Sequence, residues 1–264
     1  MHALTIYLKQ IRHKLRPRQR AMEAWYRLSR RAGFLNVKRN DGLGEEAEFW
    51  ENALKEEGRY WVRSEYQQRM NPDLELQGDL KKLIPAPHGA IVRILDVGAG
   101  PLTYVGKRWE GRTLELVPVD PLAKEYKAIL TRLKLHPPVF TEVGDGEKLL
   151  EQFEKNSFDL VSAYNSLDHS QNPLGAIQQM FAVVKPGCYV YLNHYVNEGV
   201  KEGYRGLHQW NFDIKHGDVI LSDGRGTRCS LIEEFKNTGL LESEFGTAFG
   251  SSLVVAKIKK LKPS

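Results

Sequence analysis

Asp96 closes an apolar, β-branched run, Ile91 to Val97, and two glycines follow it at once in Gly98-Ala99-Gly100-Pro101. With no Cβ at positions 98 and 100, a ligand can approach the backbone there. A carboxylate at a strand's carboxyl end beside such a turn is placed to meet a nucleoside-bearing cofactor. A plain tight turn would carry the same two glycines, so the surroundings must decide. Asp120 ends the next apolar run, Leu114 to Val119, 24 residues after Asp96. That spacing suits a carboxylate that accepts hydrogen bonds from both ribose hydroxyls. Gly144-Asp145-Gly146 follows Pro138 to Val143, and Asn165-Ser166-Leu167-Asp168-His169 follows Phe158 to Tyr164. His169, His194 and His208 add imidazoles, whose ordinary pKa suits proton transfer near neutrality.

Stepping out to the elements, four successive strands each end in small or polar residues, and in an open α/β sheet that edge holds the ligand. Helical patterns alternate with them. Leu122 to Leu135 follows the second strand, Glu147 to Phe153 the third, and Leu174, Ile177, Phe181 and Val184 share one face after the fourth, ended by Pro186-Gly187. A fifth strand spans Cys188 to Asn193. Ser230-Leu-Ile-Glu233 has the form of a capping box, and Gly239 closes its helix. Two last strands, Leu241 to Thr247 and Ser251 to Ile258, are close enough to pair as an antiparallel hairpin.

The ordered blocks ILDVGAG, VPVD, VGDGEKL, FDLVSAYNSLDH and VKPGCYVYL resemble the motifs of class I S-adenosylmethionine-dependent methyltransferases over residues 90 to 260. The resemblance implies an α/β fold: a Rossmann-like, mostly parallel seven-stranded sheet with an antiparallel C-terminal hairpin, here with a helical N-terminal extension. It implies S-adenosylmethionine as cofactor. Gly98, Ala99, Gly100 and Pro101 would pass under the methionine part. Asp120 with Pro121 would hold the ribose, Asp145 with Gly146 the adenine, and Asn165 would offer its carbonyl to the amino group beside Ser166 and His169. Helices ahead of the first strand often form a lid in this family, which would let Arg69 reach the methionine carboxylate; a surface charge is the other reading of Arg69. Leu102 stands where the family usually has a third glycine, which implies a tighter pocket.

The chain has 264 residues with 41% hydrophobic and 27% charged, ordinary for a globular protein. No apolar run approaches the ~20 residues that cross a bilayer, and two cysteines make no disulfide framework, so a cytoplasmic location is expected. The formal charge of +5 is uneven: residues 1–40 hold 11 Lys+Arg against Glu23 alone, while the rest of the chain is net acidic. Leu4, Tyr7, Leu8, Ile11 and Leu15 make one helical stripe, and Ala21, Trp25, Leu28 and Ala32 another, about Pro17. Three readings of this arm stand. It packs on the protein or on a second subunit in a homodimer, it lies on an anionic membrane surface through residues 1–31, or it tracks nucleic acid, the least favoured. Residues 41–88 read as a helical cap: a loop over Asp41 to Glu46, then an apolar face of Phe49, Trp50 and Leu54, and after Gly58 one of Trp61, Val62, Tyr66 and Met70. Residues 89–264 form the methyltransferase domain.

Asn193 to Arg228 exceeds what the fold requires between its fifth strand and next helix. This insert, 193–228, carries His194, Asn197, Glu198, Tyr204, Arg205, His208, Gln209, Trp210 and Asn211. Long polar and aromatic loops in compact domains are usually functional. Tyr204, Trp210 and Asn211 suit a hydroxylated, sugar-like acceptor, and a dimerisation loop is the other reading. Methyl transfer to a hydroxyl needs a proton acceptor. His194 is the first candidate and His208 the second, with Asp168 to orient either. No spacing compels a metal site, although an ion held jointly by Asp and His fits the residue types. The expected activity is O-methylation of a small-molecule or glycan acceptor. The rivals are an NAD-dependent oxidoreductase, which would normally show a third glycine at Thr103, and a non-catalytic methyltransferase fold working through its basic arm.

Overall fold

The chain is seen here as a computed structural model that describes residues 39–55 and 63–262. The basic arm's helical stripes, and Trp61 and Val62 of the cap, lie outside the described residues. The architecture below belongs to the unit that begins at Gly42.

β1 (Ile91–Val97), β2 (Thr113–Asp120), β3 (Glu142–Val143), β4 (Phe158–Tyr164), β5 (Val184–Tyr195), β9 (Gly239–Ala248) and β10 (Ser251–Lys260) form one sheet in the order β3-β2-β1-β4-β5-β10-β9. The first five run parallel, and β10 pairs antiparallel with both β5 and β9. The order reverses between β1 and β4, so their carboxyl ends open the crevice that holds ligands in such sheets. β1 and β4 are apolar on both faces because both faces are covered. Leu95, Val97, Val161 and Ala163 join Ala176, Ile177 and Met180 of α5 (Pro173–Val183). Val92, Ile94 and Leu160 face the other way onto Leu76, Leu80, Leu83 and Ile84 around α3 (Gly78–Lys81). A third cluster joins Leu54 of α1 (Arg39–Lys55) and Tyr66 of α2 (Arg63–Met70) to Leu122, Tyr126, Ile129 and Leu130 around α4 (Ala123–Leu133).

Several local expectations shift. β3 shrinks to two residues: Pro138 has no N–H to give a ladder, and Thr141 instead donates its hydroxyl to the Gly100 carbonyl at 2.6 Å. The helix expected after it is a 3₁₀ segment, Gly146–Glu151, capped by Asp145, whose Oδ1 accepts from the Glu147 N–H at 3.0 Å. Pro186-Gly187 does not end α5; that helix stops at Val183, and β5 begins at Val184 with a break in register before Tyr189. Residues 41–46 are part of α1 and not a loop. The capping box is present: Ser230 Oγ accepts from Glu233 N–H at 3.1 Å at the start of α7 (Leu231–Phe235).

The insert is folded. It contributes α6 (Glu198–Lys201) and the antiparallel β6 (Trp210–Lys215) and β7 (Asp218–Asp223), to which β8 (Arg228–Ser230) adds. Phe212, Val219 and Leu221 enter the main core with Leu231 and Phe235. The polar stretch from Tyr204 to Gln209 is therefore held by a small sheet fused to the domain.

Ile177 is fully buried between α5 and the sheet. Ile177→Ala should cost about 2–5 kcal/mol and Ile177→Val about 0.5–1.5 kcal/mol in urea unfolding. Equal costs for the two would show that α5 does not pack as described.

Candidate active site

The β1 turn is built for close approach. Gly98 and Gly100 have φ of +69° and +62°. A Cβ on Gly98 would lie 2.4 Å from Ser166 Cβ, and one on Gly100 would lie 3.0 Å from the Trp50 ring of α1. Asp120 crosses to this turn: its Oδ2 accepts from Gly100 N–H at 3.1 Å and its Oδ1 from Leu122 N–H at 2.9 Å. Burial raises its pKa to about 7 against those two hydrogen bonds. Each carboxylate oxygen keeps a lone pair for a further donor. Asp96 is also buried, and it faces its own scaffold. Thr103 Oγ1 donates to it at 2.6 Å and Ser162 Oγ at 3.2 Å, while burial carries its pKa to about 6. It fastens β1 to β4 and to the turn. Ala99, Pro101 and Leu102 are buried, and Pro121 is exposed. Leu102 packs with Leu54, Leu122 and Tyr126, so the missing third glycine is filled by the cap and α4.

Arg69 reaches the same turn. Its Nη1 donates to the Leu102 carbonyl at 2.8 Å, and Glu65 holds Nε and Nη2 at 3.1 and 2.7 Å. Gly146 backs onto Val97, and a Cβ there would come within 2.9 Å of its side chain. Asn165 has φ +46°, and its Oδ1 accepts from Tyr195 N–H at 3.1 Å; Ser166 Oγ donates to the Val97 carbonyl at 3.0 Å.

Past β4 lies a second cluster. Asp168 is 1% exposed, and its Oδ2 sits 2.7 Å from His208 Nδ1 and 3.5 Å from His169 Nε2. The two histidine nitrogens are 3.0 Å apart. Burial disfavours charge on His208, but the Asp168 carboxylate outweighs it and raises the pKa to about 9; the same partners lower that of Asp168. Glu46 of α1 approaches from the other side, with Oε2 3.9 Å from His169 Nδ1. Glu198 completes the group: burial first, then the Asp168 charge, raises its pKa to about 7. Its Oε2 is buried with no hydrogen-bond partner among the described residues.

The other residues expected to meet the acceptor make no hydrogen bond to this cluster, although His194 is near enough to feel the Asp168 charge. His194 is 1% exposed on β5, stacked 4.2 Å from the Phe212 ring, with both ring nitrogens unpartnered among the described residues. Burial lowers its pKa to about 4. Asn211 spends its amide inside the insert, accepting from Val200 N–H at 2.8 Å and donating to Tyr204 Oη at 2.9 Å and to the Ser222 carbonyl at 3.2 Å. Tyr204 packs over Gly224 and Gly199, and Trp210 is half-buried against the main core. Glu46 and Trp50 carried no chemical role in the sequence, and Glu198 was one polar residue among many. The sign that could have raised Glu198 is its place directly after Asn197, whose φ of +52° aims the start of α6 inward.

Residues 95–192 match the family model described as a methyltransferase domain. The strand order and the antiparallel last pair are those of the Rossmann-like class I methyltransferase fold, so residues 95–192 are a methyltransferase domain, and S-adenosylmethionine is the cofactor such a domain uses. The oxidoreductase and non-catalytic readings are set aside. Among solved structures the chain is similar to 1,6-didemethyltoxoflavin-N1-methyltransferase of Burkholderia thailandensis, with 12% identity, 86% of this chain and 92% of that one covered, and TM-score 0.49. It is also similar to a Haemonchus contortus phosphoethanolamine N-methyltransferase, with 17% identity, 86% and 61% coverage, and TM-score 0.49. The YcgJ protein of Bacillus subtilis gives 13% identity, 70% and 97% coverage, and TM-score 0.39. At TM-scores below 0.5 these carry no functional argument. No curated protein matches the sequence.

The residues present fit the cofactor: a left-handed two-glycine turn beside a buried carboxylate with lone pairs to spare. If ribose hydroxyls donate to Asp120, binding favours its charged form. Cofactor affinity should then be full above pH 7 and weaken as pH falls through about 7, where Asp120 takes up a proton in the free protein. Calorimetry from pH 5.5 to 8.5 should show this slope in the native chain, and a weaker, flatter response in Asp120→Asn. A pH-independent affinity in the native chain would remove Asp120 from the ribose.

Proposed function

We propose that the chain methylates a hydroxyl oxygen of a small, carbohydrate-like acceptor held between the end of β4 and the insert. The observation that carries this reading is the acid–base group of buried Asp168 with partly exposed His169, His208 and Glu198 beside the sheet's ligand edge. A hydroxyl must lose its proton as it is methylated, and an acid–base group at that place suits the need. Residues 41–88 act as the cap and 193–228 as the acceptor side of the site. Gly98, Gly100, Asp120, Asp145 and Asn165 hold the cofactor, and Arg69 braces the turn from the Leu102 carbonyl.

S-adenosylmethionine supplies an activated methyl group on sulfur. The chain's own task is alignment and proton removal. Glu198, with a pKa near neutrality in a half-buried setting, takes the acceptor's proton as the oxygen–carbon bond forms and the carbon–sulfur bond breaks. It then passes the proton to solvent. His194 has neither exposure nor a partner for this role, and the base moves from the imidazoles to the carboxylate. Asp168 holds His208 by its ring nitrogen and so fixes the 204–209 segment, which the Gln209 N–H also ties to the Asp168 carbonyl at 3.1 Å.

The test begins with a screen of hydroxylated acceptors using labelled S-adenosylmethionine. On an acceptor so found, Glu198→Gln should lower kcat by roughly 10²–10⁴ while cofactor affinity stays within twofold. Full turnover in Glu198→Gln would end its assignment as base, and methylation confined to amines or carbons would end the oxygen reading.

We further propose that the basic arm brings the enzyme to anionic lipid, where a lipid-linked acceptor would be met. Its support is the charge pattern, 11 Lys+Arg against Glu23 in residues 1–40. No helix among the described residues is long and apolar enough to cross a membrane. Co-sedimentation with anionic vesicles should be strong at low salt and fall steeply as salt rises. Equal retention on neutral vesicles would refute the electrostatic attachment.

A further inference from the structure

The end of β4 and the insert bring three metal-ligating atoms to one point. Asp168 Oδ2, His169 Nε2 and His208 Nδ1 lie 2.7, 3.0 and 3.5 Å from one another. Two of these residues are neighbours in a 3₁₀ turn, Leu167–His169, and the third comes from the far side of the insert. An ion bound at about 2.0–2.2 Å to nitrogen and oxygen ligands holds them roughly 2.8–3.5 Å apart, at angles between right and tetrahedral. Two sides of the triangle, 3.0 and 3.5 Å, fall in that range, and the third, 2.7 Å, lies just below it.

A purely hydrogen-bonded reading leaves a remainder. One proton on His208 Nδ1 can serve Asp168 Oδ2, while His169 Nε2 turns a lone pair to the same hydrogen. Asp168 Oδ1 is then buried without a hydrogen-bond partner among the described residues, on a side chain 2% exposed. An unpartnered buried carboxylate oxygen is costly, and a cation at the shared point would draw on it in bidentate fashion. Glu46 and Glu198 add acidic groups around the cluster without entering the triangle, which suits a positive ion.

We infer that Asp168, His169 and His208 bind a divalent transition-metal ion at the acceptor side of the site. One carboxylate and two imidazoles favour manganese, iron, cobalt or zinc over magnesium, which prefers oxygen ligands. Three protein ligands on one side leave positions for acceptor oxygens. A hydroxyl bound there is a stronger acid, and Glu198 receives its proton. This role rests on the acceptor-site reading above; the existence of the metal site does not.

The test uses the full chain without an affinity tag, stripped with a chelator and titrated with Co²⁺, Mn²⁺ or Zn²⁺ by calorimetry, with the visible spectrum of the Co²⁺ form as a second readout. One equivalent per chain is expected, with a cobalt spectrum that reports mixed nitrogen and oxygen ligation. His169→Gln and His208→Gln should each weaken binding by at least about 100-fold, beyond what loss of an outer partner costs. Both side chains are partly exposed, so folding should survive, and Asp168→Asn serves as the buried third variant. Glu198→Gln should bind the metal like the native chain. Affinity weaker than about 1 mM for all three ions, or binding that all three ligand variants retain, overturns the inference. Metal binding with full turnover in Glu198→Gln would instead strike the base assignment and leave the metal site standing.

Discussion

The carboxylate of Asp168 is the group that the packing of the insert against the end of β4 depends on. A carboxylate this deeply buried is tolerated only with partners, since an isolated charge in the interior costs several kcal/mol. β4 delivers Asp168 to the ligand edge, but no neighbour on β4 can satisfy it. Its partners are the adjacent His169 and His208, 40 residues further along. That demand explains why the insert is folded. A free loop could not hold an imidazole within hydrogen-bond distance, whereas β6, β7 and Phe212 in the core anchor the segment from below.

Asp120 and Asp96 apply the same constraint on the cofactor half. Each is buried at a strand end and each is satisfied from a different quarter: Asp120 by backbone N–H groups of the glycine turn and α4, Asp96 by the hydroxyls of Thr103 and Ser162. The first arrangement leaves acceptor capacity facing a ligand, and the second consumes it. Two aspartates that look alike in sequence thus divide into one that can bind and one that builds.

This division marks how far the sequence could be read. Continuous apolar runs ending in acidic or small residues were enough for the parallel part of the sheet and its ligand edge, because a strand buried on both faces has no polar face to alternate with. The boundaries failed where backbone chemistry intervened, at the proline that shortens β3 and at the Pro186-Gly187 break within β5. The direction of a side chain was less legible. His194 stands one residue past the expected end of the fifth strand at Asn193, yet β5 runs on to Tyr195 and the histidine ring stacks on Phe212 of β6. Glu46 could not be chosen from spacing, since it reaches His169 from a segment 123 residues earlier in the chain, and Glu198 reaches the cluster only through the fold of the insert. The basic arm's pattern concerns residues outside the description.

Helix α1 touches both halves. Trp50 lies on the glycine turn, with its Nε1–H held by Glu46 at 2.8 Å, and Gly42 is so close to the insert that an added Cβ would lie 2.6 Å from Leu207 Cδ2. One rigid rod therefore leans on the cofactor turn at one point and on the acceptor segment at another. A ligand that moves the rod at either point changes the free energy of the other. Because such coupling is reciprocal, any factor by which bound cofactor alters acceptor affinity is also the factor by which acceptor alters that of the cofactor. If cofactor and acceptor bind where proposed, α1 is the element that touches both, and the order in which they bind would depend on how far it yields.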